Sequence, residues 1–324
     1  MRQNLETGTT LRRLGAAAAL LGACLATACD LTEVTTAPSE DVVVVEAVLR
    51  TDIEVQQVLL HHALDGDFVG GVPDARITIT GAAGDEHVLV PGTFCYQIDA
   101  LYARSDSLDF QGSCYMNDGR DVDWVRPGET YQLRVEIPDG RVIRGQTTVP
   151  GAYSAPALRT ETDFGFLCSM APDSAFELLW TQSKGAWSYV ADLSISGLSQ
   201  SLAGRGFRVI DPMQIRGISV SQTDTTLLLP GEFGVFERLQ YDSELLLAIR
   251  DGFPEGTRAE LVLAAADRNW VNSFRGGSFN PSGLIRISTV VGDGVGVFGS
   301  LNVHRASIVV RKNTIVPRCG VRKS

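Results

Sequence analysis

The sequence predicts a mostly β protein built as two β-sandwich domains of the immunoglobulin or fibronectin kind, with one short helix in the second. Three observations carry that prediction. Apolar and polar residues alternate at period two: in "ETYQLRVEIPDG", Tyr131, Leu133, Val135 and Ile137 share one face while Gln132, Arg134 and Glu136 share the other. Turn-forming residues punctuate the runs, as at Gly70, Gly71 and Pro73 and again at Pro138 to Gly140. No amphipathic helical pattern separates the runs, which disfavours a parallel α/β sheet.

Taken from the N-terminus, Arg2, Arg12 and Arg13 precede the apolar run "LGAAAALLGACLATA", and residues 1–28 read as an export signal. The run is shorter than the roughly 20 residues of a bilayer-spanning helix. Small residues precede a cysteine at "LGAC" and again at "ATAC", so both Cys24 and Cys29 fit a bacterial lipobox. Cys24 has Leu21 at the favourable third position upstream. Cys29 is the expected lipidation site, because the apolar run continues through Ala28 and the acidic stretch "DLTEVTTAPSED" follows directly. Residues 29–41 then form a polar tether.

Processing at Cys29 leaves four internal cysteines, Cys95, Cys114, Cys168 and Cys319. Outside the cytoplasm an even set predicts disulfides. Three pairings are open, and proximity favours Cys95 with Cys114 and Cys168 with Cys319. Zinc is not expected, since no pair has CxxC spacing and no histidine lies near them.

The first domain is expected over residues 42–150. "VVVVEAVLR", "VQQVLLHHAL", "ARITIT" and the hairpin closed by "PDG" supply its strands. "GAYSAP" is a small, uncharged linker. The second domain, 151–324, has strand signals at "FELLW", "WSYVADLSISG", "TLLL", "AELVLAAA", "LIRISTVV" and Asn302 to Val310. "YDSELLLAIRDG" fits helix and strand equally, and "DRNWVNSFR" predicts a short helix with Asp267 as N-cap.

"GDGVGVFG", from Gly292, contains a literal GxGxxG at Gly294, Gly296 and Gly299. A dinucleotide site needs a helix after these glycines and an acidic residue about 20 positions on. A strand-like run follows instead, and no Asp or Glu occurs after Asp293. The stretch is expected to be a turn or the bulged start of a strand where backbones approach closely.

In order along the chain, the lipobox cysteine and acidic tether, "VVVVEAVL", "VPDARITITG", "GETYQLRVEIPDGRVIRGQTTVP", "ELVLAAADRNWVNSF" and "GDGVGVFGS" together resemble the lipoproteins of domain-of-unknown-function family 4249. The resemblance implies a Gram-negative surface or periplasmic lipoprotein with an immunoglobulin-like first domain, often encoded beside TonB-dependent outer-membrane transporters. It brings no catalytic residues. The cysteine-bearing insertion from Cys95 to Cys114 lies outside that likeness.

Catalytic signatures are lacking in the sequence itself: no GxSxG elbow occurs, and the adjacent His61 and His62 point to opposite faces of a strand. His87 and His304 complete the histidines. Asp118, Asp121 and Asp123 cluster in a turn that offers oxygen ligands to calcium, without EF-hand spacing, and a solvated acidic turn is the default. Trp124, Trp187 and Trp270 are either core or a ligand surface. With 28 Lys and Arg against 38 Asp and Glu, the net charge of -10 repels nucleic acid and anionic membrane surfaces. The expectation is an outer-membrane lipoprotein, without cofactor, metal or catalysis, that binds a solute or a TonB-dependent transporter; an exported hydrolase and a structural envelope protein are the alternatives.

Overall fold

Alternation becomes strand along most of the chain. The computed structural model describes residues 41–63, 70–93, 95, 112–119, 123–155, 161–162, 165–207, 209–219, 221–230, 243–275 and 287–312. Residues 1–40, on which the expected signal, Cys24, Cys29 and all but the last residue of the expected tether fall, lie outside them. β1 (Val43–Arg50), β2 (Gln57–His62) and β3 (Arg76–Thr80) arise from the three opening β-rich runs. β4 (Glu86–Gly92) and β5 (Ser113–Met116) follow, and β6 (Thr130–Glu136) and β7 (Val142–Thr148) form the hairpin over "PDG". Its loop is a turn closed by Gly140 N donating to Ile137 O at 2.9 Å. Gly140 has φ 96, the left-handed position that ends a three-residue hairpin loop.

The second half contains β8 (Glu161–Thr162), β9 (Gly165–Met170), β10 (Phe176–Leu179), β11 (Ser188–Ser196), α1 (Leu198–Ser201), β12 (Met213–Ile218), β13 (Thr226–Leu229) and α2 (Ser243–Ile249). β14 (Arg258–Ala266), α3 (Arg268–Arg275), β15 (Val290–Gly292) and β16 (Gly294–Val310) complete it. The protein is mostly β, and among the described residues there are three short helices where one was expected. α1 is a single turn entered through Gly197 at φ 86, and α2 resolves the segment that fitted helix and strand equally. α3 is the predicted helix, capped by Asp267: its Oδ1 accepts from Trp270 N at 2.8 Å, the N-cap bond to N3. Of "LIRISTVV", residues 284–286 lie outside the described ones, and of the rest Val290 and Val291 enter a strand.

Strands pair in the order β12-β11-β14-β16-β1-β2-β5-β4-β3-β6-β7-β15, with β9 also pairing β16 and β8 pairing β9, while β10 and β13 form a separate pair. β4 turns the path over on itself, pairing β3 as far as Leu89 and β5 from Val90 onward. The two layers so formed close on one core. Val45, Leu49, Val58, Leu60 and Tyr115 meet Ile77, Ile79, Leu133, Val135 and Ile143 there. Tyr131 anchors its edge: the hydroxyl donates to Trp124 O at 2.6 Å and accepts from Arg126 N at 2.9 Å, the geometry of a tyrosine corner.

A second core collects Tyr153, Phe176, Trp180, Tyr189, Leu193, Ile249, Phe253, Leu263 and Ile308 between the β12-β11-β14-β16 sheet and the elements that cover it, β10, β13, α1 and α2. Burying aromatic and branched side chains of this size supplies roughly 1.5–3 kcal/mol apiece. Both cores belong to one compact unit, Asp41–Ser324.

β16 serves both cores. Its 17 residues run parallel to β1 from Gly294 to Leu301, then antiparallel to β14 from Leu301 to Val309. Phe298 therefore packs into the first core, and Ala306, Ile308 and Val310 into the second. The glycine stretch follows from this crossing. Gly292 to Gly294 turns β15 into β16, and a Cβ at Gly296, where φ is 135, would sit 2.0 Å from Val45 O. Gly296 is a close backbone approach inside a strand, as the absence of a following helix predicts.

Candidate functional site

The histidines are dispersed, each engaged locally. His61 Nε2 lies 3.6 Å from Glu46 Oε1, and its Nδ1 lies 2.9 Å from His62 O. The Glu46 contact, with the His62 carbonyl, raises its pKa above the usual histidine value against the opposing effect of burial. His62 bonds Asp41 through Nδ1. His87 stacks on Trp124 with ring centroids 4.0 Å apart and meets Asp85 at 3.1 Å. His304 Nε2 lies 3.1 Å from Tyr153 O.

Asp118 and Asp123 fall in the loop after β5, with Asp123 at φ 54, and Asp121 lies outside the described residues. Among the described residues no group of three His, Cys, Asp or Glu is placed to hold a metal ion. Cys95 and Cys114 are joined, with Cα atoms 5.4 Å apart. The bridge ties the insertion to β5 beside Leu59. Cys168 is buried on β9 and is disulfide-bonded, and Cys319 lies outside the described residues.

The three tryptophans differ. Trp124 is buried in the first core and Trp270 in a third cluster with Val48, Val190, Val262 and Leu301, whereas Trp187 is 41% exposed beneath the Arg268 guanidinium, 5.3 Å from its ring centroid. Trp187 is the exposed one of the three because it lies one residue before β11, where strand periodicity does not yet hold.

One buried polar cluster joins β7 of the first core to the cap of α3. Asp267 Oδ2 accepts from Thr147 Oγ1 at 2.6 Å, and Ser300 Oγ lies 2.8 Å from the same hydroxyl. Thr147 belongs to β7, Asp267 to the turn between β14 and α3, and Ser300 to the middle of β16. Burial pushes the Asp267 carboxyl up to about 6, against hydrogen bonds from Thr147 and from the backbone at Trp270, Ser300 and Asn269. All three side chains are buried. The cluster is a staple, since a substrate has no path to it without opening the junction. Asn302 adds a second clasp, its Nδ2 donating to Gly151 O at 2.8 Å in the linker segment and its Oδ1 accepting from Thr51 Oγ1 at 3.2 Å.

The surface with the most free chemistry is the outer face of β4-β3-β6-β7-β15. Strand register places Val88, Thr78, Arg134, Arg144 and Val291 in one row across it. Arg76 faces Glu136 in the next row. Arg134 donates from Nε to Glu136 Oε1 at 3.0 Å. Sequence reading placed Arg134 and Glu136 on one face but did not single out the arginines. The signal was present: a loop fixed at Pro138 to Gly140 puts Arg144 opposite Arg134.

No family model matches the chain, and no curated protein matches it. Among solved structures, a DUF4785 family protein from Legionella pneumophila is similar at 11% identity, with a TM-score of 0.20, over 68% of this chain and 51% of that one. The chain thus spans about half that protein's length. A superposition of this quality carries no argument about fold or function.

Proposed function

We propose that the chain is an exported lipoprotein, anchored through Cys29 at the outer membrane, that acts as a non-catalytic binding or accessory component of a TonB-dependent transporter. The observation that carries the reading is the order of the N-terminal parts: signal, small residues, Cys29, acidic tether, then the first core strand. The tether ends at a gripped residue. Arg141 of the β6–β7 hairpin donates to Asp41 O at 2.9 Å and to Asp41 Oδ2 at 3.2 Å, so the chain leaves the folded body at a defined point. The resemblance to family 4249 supplies the transporter link.

In this reading the two cores, joined by β16, move as one body on the tether. Anchoring raises the effective concentration of a weak contact near the pore. The test is chemical crosslinking of the native outer membrane followed by affinity purification of the protein. Recovery of a TonB-dependent transporter, lost when Cys29→Ser releases the protein from the membrane, supports the reading; recovery without any transporter contradicts it.

A further inference from the structure

The outer face of β4-β3-β6-β7-β15 carries an arrangement that the fold alone does not require. Arg134 and Arg144 stand directly opposite each other on paired strands. Like charges in that position destabilise a sheet. Glu136 offsets one of them by accepting from Arg134, and it lies 4.0 Å from Arg76 Nε. Arg144 is exposed and makes no hydrogen bond or ion pair among the described residues. Three guanidinium groups thus surround one carboxylate, in a chain whose net charge is -10. Exposed valines bound the row at both ends, Val88 at 50% and Val291 at 68%, with Val90 beside Val88 at 48%.

We propose that this face is a docking surface for an acidic polypeptide segment of a partner protein, whose carboxylates take the place on Arg144 and Arg134 that Glu136 already models within the chain. A face five strands wide suits an extended partner rather than a small molecule, which needs concavity. Guanidinium forks bind carboxylates in plane, and the flanking valines offer apolar contact to the partner's aliphatic side chains. Net charge selects against the other anions. A nucleic acid or an anionic membrane extends beyond the patch and meets the repulsion of the whole chain, whereas a short acidic segment interacts within a Debye length of about 8 Å.

The proposal rests on the binding role above, and its test leaves the lipid anchor out so that the two fail separately. The full chain carrying Cys24→Ser and Cys29→Ser is titrated into a fluorescent oligoglutamate peptide, with heparin and phosphatidylglycerol vesicles as parallel probes. The peptide binds, added salt weakens it, and Arg134→Gln/Arg144→Gln weakens it about tenfold. Arg250→Gln/Arg258→Gln, which removes the same charge from the other core, leaves binding within about twofold of the parent. Arg144→Gln alone serves if the double variant fails to fold, because that side chain holds nothing in place. Absence of peptide binding, equal loss in both double variants, or tighter binding to heparin or vesicles than to peptide overturns the proposal.

Discussion

Thr147 donates its hydroxyl proton to Asp267 across 2.6 Å, and through that bond a strand of the first core holds the cap of α3. The carboxylate is buried, so its environment favours the neutral acid while its donors favour the charged form. Burial prevails, and the pKa stands at about 6.

Asp267 gives the protein an acid-favoured component of stability. Its folded-state pKa is raised above the unfolded value of 3.8, so the contribution is complete below that value and is lost as pH rises through about 6. The two-unit difference corresponds to about 3 kcal/mol. Asp267→Asn retains a side chain able to cap α3. Urea denaturation of the two proteins from pH 4 to 7.5 therefore shows the parent losing stability relative to the variant, and parallel curves contradict the assignment.

His61 contributes with the same sign in a higher window. Its pKa is raised above 6.5 by Glu46, so this stabilisation is present below 6.5 and disappears as pH climbs through the folded-state value. Glu46→Gln removes the largest cause of the shift. NMR titration of the His61 ring in that variant gives a pKa lower than in the parent; an unchanged titration refutes the pairing.

Gly296 tolerates no side chain. A Cβ there meets Val45 O at 2.0 Å, and φ of 135 is strained for any L residue. Gly296→Val costs about 3 kcal/mol or more, because the clash is with backbone of the parallel partner strand. Thermal unfolding reads the loss directly. A near-parental melting temperature would mean that β1 and β16 do not pair in this register.

The Cys95–Cys114 bridge closes a loop with sequence separation 19. On the chain-entropy model such a loop adds about 3 kcal/mol. Cys95→Ser/Cys114→Ser is accordingly less stable than the oxidised parent by chemical denaturation without reductant. Equal stabilities would show that the loop retains its order in the unfolded chain.

Much of the fold is written in local pattern. Tyr131, Leu133 and Val135 announce a one-sided strand, the residues after Asp267 form the helix it caps, and the missing acid and helix after Gly299 remove the nucleotide reading. What stayed hidden depends on pairing partners distant in sequence. The division of β16 between two cores arises from its meeting β1 at one end and β14 at the other, and neither half of its sequence differs enough to reveal it. β4 is similar, since Pro91 hid a strand that changes layers. Thr147 meets Asp267 and Ser300, each more than a hundred positions on; alternation with Ile143 and Val149 turns it inward, but nothing local names those partners. The arginine row required only the hairpin register, which the Pro138 to Gly140 loop fixes.

In the proposed function, lipidation of Cys29 is what ties this body to the outer membrane. Intact-mass and N-terminal peptide spectrometry of the protein extracted from the native outer membrane reads it out. A mature chain beginning at Cys29 with diacylglyceryl modification of its thiol is expected. An unmodified mature N-terminus, or a modified one at any other residue including Cys24, contradicts the Cys29 anchor.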